Sequence, residues 1–245
     1  MPVNLMKKSL ACSTLFLSLL SLPAIGSAAG LEPSDENAGI AIDQVGVLVY
    51  PPMMLYNAIY TGEVSVVISV DEKGVLTDCL VTGYTDQTFA DAAVTALKRW
   101  IYQPARVKGR ARASRADVLF LFKDQGVIVQ NFPGALEQRA WSGYAQGRYV
   151  YQPCKLRELD RIPTPVHVVR PSIKPGDGQH SVTVEFYIDE DGKVRMPAVA
   201  RESADDAYAA AAVSAVEQWR FESPLRRGKP VLVYAQQEFT FNAKE

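Results

Sequence analysis

The sequence predicts an α+β protein built from two tandem ββαβ modules, each a three-stranded antiparallel sheet covered by one helix. Two observations predict it: the chain repeats itself, and each copy passes from period-two to helical spacing of its apolar residues. Val64, Val66, Asp71, Glu72 and Gly74 recur 118 residues later as Val182, Val184, Asp189, Glu190 and Gly192. Ala90, Ala92, Ala93, Val94, Ala96 and Trp100 recur as Ala209, Ala211, Ala212, Val213, Ala215 and Trp219, now 119 residues on. Gly109, Phe120 and Phe122 recur at this second offset as Gly228, Phe239 and Phe241. One inserted residue before the helix accounts for the change, and scattered coincidences would not hold one offset across separate elements.

Each element has a local cause. Val64, Val66, Ile68 and Val70 alternate along a first strand, as do Val182, Val184, Phe186 and Ile188, so one face is buried. Asp71 to Gly74 and Asp189 to Gly192 then read as hairpin turns, with glycine taking a positive φ. Second strands follow, from Val75 to about Thr82 and from Lys193 to about Ala200. Phe89, Ala92, Ala93, Ala96, Leu97 and Trp100 form an apolar helical stripe, repeated by Tyr208, Ala211, Ala212, Ala215, Val216 and Trp219. Asp86 to Thr88 and Ser203 to Asp206 supply N-caps, and Pro104 and Pro224 are expected to end the helices. A last strand runs from Ala113 to Phe122, mirrored by Leu232 to Phe241.

These limits divide the chain into a targeting segment (1–28), a first repeat (44–123), a linker (124–162) and a second repeat (163–243). The targeting segment has a basic start at Lys7 and Lys8, an apolar run from Leu10 to about Leu22, and small residues Gly26 to Ala29 for cleavage after Ala28. Cleavage is the favoured outcome and an uncleaved anchor the alternative. Cys12 lies inside the apolar run, where it is a poor lipoprotein cysteine. The exported protein is then expected in the periplasm, with no membrane span. Its basic side chains fall from 26 to 24 against 27 acidic ones, a net charge of −3 that does not favour nucleic acid. Cys79 and Cys154 remain, and an oxidising compartment permits a disulfide, although a buried free thiol at Cys79 is the plainer reading. The linker carries Val127 to Val129 and the aromatics Phe132, Trp141, Tyr144, Tyr149 and Tyr151, which suggests that it packs.

The motif order resembles a known family. Tyr50-Pro51, the alternating strand, Asp71 to Gly74, the alanine-rich helix, Trp100-Ile101-Tyr102-Gln103-Pro104, Gly109 and Phe120-Leu121-Phe122 are similar to the TonB C-terminal domain. The second copy carries Asp189 to Gly192, Trp219-Arg220-Phe221, Pro224, Gly228 and Phe239-Thr240-Phe241, with Arg170-Pro171 in place of Tyr-Pro. The resemblance implies a fold and a binding mode. It does not carry energy transduction with it, because residues 30–48 are short and not proline-rich, unlike the family's spacer.

By that resemblance the last strand of each sheet lies outermost and pairs with an extended peptide of an envelope or outer-membrane transport protein. The candidate peptide-binding residues are Ser114, Ala116, Val118, Phe120 and Phe122 in the first copy, and Val233, Ala235, Gln237, Phe239 and Phe241 in the second. Tyr50 and Pro51 join them by resemblance, unless they only pack and fix the chain's entry. The alternative is a structural envelope protein whose modules cover each other's edges. In that reading Arg106, Lys108, Arg110, Arg112 and Arg115 attract an anionic polymer such as peptidoglycan, with Arg226, Arg227 and Lys229 as an echo. No metal or other cofactor is expected: Asp189 to Gly192 is too short for a calcium loop, and His167 and His180 have no second ligand at a metal spacing. No nucleophile motif or phosphate loop occurs, so an enzyme is not expected.

Overall fold

The computed structural model describes residues 37–43, 48–124, 126–133, 149–173, 180–200 and 206–241. The expected targeting segment, Trp141 and Tyr144 of the linker, and the cap expected around Ser203 lie outside the described residues. Residues 34–245 form one compact unit. No helix among the described residues is long and apolar enough to cross a membrane.

The first module contains β1 (Ala41–Asp43), α1 (Pro52–Tyr56), β2 (Thr61–Val70), β3 (Leu76–Tyr84), α2 (Gln87–Leu97), β4 (Ile101–Gln103), β5 (Ala105–Val107), β6 (Arg110–Arg112), β7 (Ser114–Lys123) and β8 (Gly126–Pro133). Its main sheet runs β3-β2-β7-β8, so it has four antiparallel strands rather than the three expected. The alternating residues of β2 work as their spacing dictates. Val64, Val66, Ile68 and Val70 pack with Phe89, Ala93 and Leu97 of α2 in one core, while Val67 belongs to a different cluster.

Helix α2 starts where Asp86 accepts the Thr88 backbone N–H at 2.8 Å. It stops at Leu97, well before Pro104, so the proline does not end it. The Tyr102 hydroxyl donates to the Leu97 carbonyl at 2.5 Å, which satisfies one of the acceptors orphaned at a helix end. Trp100 therefore lies beyond the helix, yet it stays buried against Phe120 with ring centroids 5.7 Å apart. Likewise α3 of the second module ends at Val216, ahead of Trp219 and Pro224.

The second module contains β9 (Cys154–Lys155), β10 (Pro165–His167), β11 (His180–Ile188), β12 (Val194–Val199), α3 (Asp206–Val216), β13 (Arg220–Phe221), β14 (Leu225–Arg226), β15 (Lys229–Pro230) and β16 (Val233–Phe241). Its sheet runs β12-β11-β16-β9, again four strands. A separate core gathers Val184, Phe186, Ile188, Ala212, Val216 and Trp219.

The turn glycines do more than turn. Gly74 and Gly192 have φ of +81° and +78°. A Cβ on Gly74 would lie 2.4 Å from the Tyr102 carbonyl oxygen, and one on Gly192 would lie 2.0 Å from that of Phe221. The repeated Asp-x-x-Gly thus meets the repeated Trp-x-aromatic segment backbone to backbone in both copies.

The two sheets turn their helix-free faces toward each other. Val67 and Leu80 of the first module share a buried cluster with Tyr187, Met196 and Leu232 of the second. Polar bonds surround it. Arg115 donates to the Met196 carbonyl and pairs with Glu185, which also accepts the Tyr234 hydroxyl at 2.8 Å. Arg195 grips Asp78 through two nitrogens, and the Tyr151 hydroxyl donates to Glu190 at 2.6 Å. Linker residues fasten the pair. Tyr151 stacks on Tyr84 at 5.1 Å, and three residues on, at Cys154, β9 begins to pair with β16.

Candidate functional site: the outer strand of each sheet

The two last strands meet different fates. In the first module β7 is not outermost, which corrects the expectation for Ser114, Ala116, Val118, Phe120 and Phe122. β8 folds back along it in antiparallel register from Lys123↔Gly126 to Ala116↔Pro133. The turn sequence Asp124-Gln125-Gly126 followed by Val-Ile-Val was the signal for this hairpin, here read as linker. Phe120 and Phe122 face α2 and are 0% and 1% exposed. Val129 and Val127 stand opposite them and pack against the same core.

In the second module β9 runs parallel to β16 and pairs only at Val233 and Tyr234. Past that point no other strand among the described residues lies on the outer side of β16. Phe239 and Phe241, the counterparts of Phe120 and Phe122, are only half-buried. An aromatic row lines the helix side of this edge. Trp219 lies 5.7 Å from Phe239, Tyr208 lies 4.9 Å from Phe241, and His180 stacks on Tyr208 at 4.3 Å. The opposite side carries Glu238, held by the Ser181 hydroxyl at 2.5 Å, and the exposed Thr240. The edge therefore offers backbone hydrogen-bonding groups between an aromatic shelf and a polar one. Of the expected residues, Gln237, Phe239 and Phe241 lie on it, whereas Val233 and Ala235 are buried.

Tyr50 sits elsewhere. It is buried, its ring meets Phe89 and Phe122 edge-on, and its hydroxyl donates to the Ile59 carbonyl at 2.7 Å. Pro51 enters the short helix α1 and, with Leu48, Val49 and Pro52, lines a shallow groove along α2. The second module has no counterpart of α1 among its described residues.

The basic run divides as well. Arg106, Lys108, Arg110 and Arg112 lie in the exposed β5–β6 hairpin, whose turn places Lys108 and Gly109 at positive φ. Arg115 leaves that group, since it is committed to Glu185 between the modules. Burial lowers its pKa, and the neighbouring Glu185 carboxylate opposes that shift. In the second module Arg227 and Gly228 give their backbone N–H groups to Asp160, each at 2.7 Å, and this holds the Asp160 carboxyl below its ordinary range.

Cys79 and Cys154 are free thiols, so no disulfide joins them. Cys79 packs at the first core and Cys154 is buried in the second. Burial pushes the Cys79 thiol up to about 11, with Asp78 adding to the effect. Among the described residues no group of three or more His, Cys, Asp or Glu side chains is placed to hold a metal ion.

Each module is a four-stranded sheet with one covering helix. The profile of the family described as Gram-negative bacterial TonB protein C-terminal matches residues 47–123 and again residues 177–243. These two segments make up more than half of the sequence, and the chain belongs to that family in two tandem copies. The family consists of binding domains associated with the Gram-negative envelope. No curated protein matches the chain.

Proposed function

We propose that this protein is a periplasmic adaptor that captures an extended peptide of an envelope or outer-membrane transport protein on the outer edge of β16. The observation that carries this reading is the unequal cover of the two repeats. β8 pairs along the outer side of the buried Phe120 and Phe122, while Phe239 and Phe241 stay half-buried on a strand whose outer side, among the described residues, is paired only at its start. An incoming strand would gain main-chain hydrogen bonds and bury the aromatic shelf, as in recognition by strand addition. Membership of an envelope-associated binding family agrees with export through the segment 1–28.

The test is a peptide array tiling periplasmic and outer-membrane proteins of the source cell, followed by amide hydrogen exchange on each hit. A genuine ligand slows exchange across Gln237–Phe241. Hits that protect only other parts of the chain, or an array with none, would sink the proposal.

A second reading has its own observation. The modules do dock on each other, and the β5–β6 hairpin presents Arg106, Lys108 and Arg110 to solvent. A scaffold that contacts peptidoglycan through this hairpin would bind purified sacculi, and would release them in 0.5 M salt, where the screening length is about 4 Å. Binding indifferent to salt excludes it.

A further inference from the structure

The first module holds a strand in a position that, beyond Tyr234, no described strand fills in the second, and this makes β8 a template for the second module's ligand. We infer that β16 takes an antiparallel segment with β-branched aliphatic residues at two alternate positions, opposite Phe239 and Phe241, and polar residues between and after them. The inference rests on the proposed edge-binding role and specifies the partner's chemistry.

The register carries the argument. Val127 and Val129 stand opposite Phe122 and Phe120, whose repeat counterparts are Phe241 and Phe239. Both valines are partly buried against the core that α2 covers, whereas Ile128, pointing the other way, is exposed. Together with Tyr50 and Phe89 on Phe122 and Trp100 on Phe120, these two branched side chains complete the cover of the first module's Phe-x-Phe. A cross-strand aromatic paired with a β-branched residue is also a favoured combination on a sheet.

The positions that differ between repeats refine the ligand. Asn131 of β8 lies opposite Val118, and the counterpart of Val118 is the exposed Gln237, so a polar residue suits the ligand there. The position opposite Glu238 faces a carboxylate, which favours a basic or neutral polar side chain over an acidic one. The β9 strand already holds Val233 and Tyr234, which limits the antiparallel partner to the part of β16 beyond them. Direction follows from the template too: the ligand's N-terminus belongs beside Phe241 and its C-terminal part beside Gln237.

The probe is a synthetic copy of β8, Gly-Val-Ile-Val-Gln-Asn-Phe, added to the protein as its host exports it. The expected result is binding that slows amide exchange across Gln237–Phe241. Replacing both valines by aspartate is expected to weaken binding at least about tenfold, because two carboxylates would face an aromatic shelf. Replacing the isoleucine by lysine leaves it within about threefold, since that side chain points away from the shelf. A nitroxide at the peptide N-terminus should broaden amide signals near Phe241 more than those near Gln237. Equal affinity of the valine and aspartate peptides, broadening at the Gln237 end, or protection of β7 instead of β16 overturns the inference. If the β8 copy fails while envelope peptides lacking the pattern protect Gln237–Phe241, the template falls and the adaptor role stands. If neither kind of peptide protects that edge, both fall.

Discussion

Arg195 of the second repeat clamps Asp78 of the first, with its Nε 2.9 Å from one carboxylate oxygen and a terminal nitrogen on the other. The same guanidinium lies 3.6 Å from Asp189, the residue that opens its own module's hairpin turn. Fork-to-fork pairing of this kind fixes orientation as well as contributing energy. The module pair is thus held at a defined angle by polar contacts around an apolar centre.

The buried member of that interface is the more sensitive. Arg115→Ala removes the cation and strands Glu185 between the modules, at a cost of about 3 kcal/mol. Replacing Arg115 and Glu185 together by methionine and leucine should recover most of this loss. Chemical denaturation of the two variants checks it: equal destabilisation would mean the pair itself, rather than the orphaned charge, sets the cost.

Asp78→Ala and Arg195→Ala form a milder cycle. Both side chains are partly solvated, so the coupling energy should be about 1 kcal/mol and should shrink in high salt. A coupling near zero at low salt would show that the clamp does not hold the modules.

The glycines separate two causes of strain. Gly74→Ala and Gly192→Ala impose a positive φ and also drive a methyl into a backbone carbonyl, and each should cost more than about 2 kcal/mol. Gly109→Ala and Gly228→Ala keep the positive φ but meet open space, so about 1 kcal/mol is expected. Melting temperatures of the four variants rank them, and the first pair must fall below the second.

Thiol chemistry follows burial. With its pKa raised to about 11, Cys79 carries little thiolate at pH 8, and a rising pH supplies more of it only above the ordinary thiol range. Alkylation of the native protein at pH 8 should be slow at Cys79 and rapid only after denaturation. Fast labelling of the native chain would contradict the packing around β3.

Loss of the Asp86 cap should be local. Asp86→Ala frees the Thr88 N–H at the start of α2 and should cost about 1 kcal/mol, visible as earlier amide exchange in the first turn. An unchanged exchange pattern would rule out the cap.

The duplication, the two hairpin turns, the helical stripes and the family were all legible in the chain, because each rests on contacts close in sequence. Asp71 must meet Val75 and Phe89 must meet Ala93 whatever the rest of the molecule does. Trp100 and Pro104 misled on the helix end: α2 stops at Leu97, whose carbonyl accepts the Trp100 N–H and the Tyr102 hydroxyl from the segment that turns away. Arg115 looked like one more cation in a basic run, and its spacing could not show that Glu185, 70 residues away, would claim it.

What the sequence by itself determined is the repeated unit and the face each strand buries, since period and turn chemistry are local properties. Which last strand is covered along its length by another described strand was decided only by tertiary structure. The two Phe-x-Phe strands are almost interchangeable as text, and they differ in what packs beside them: β8 and Tyr50 in the first module, the short β9 in the second. Strand pairing runs through backbone groups that every residue carries, so the two-residue β9 leaves little trace in the side-chain pattern, and the Val-Ile-Val of β8 does not by itself name its partner.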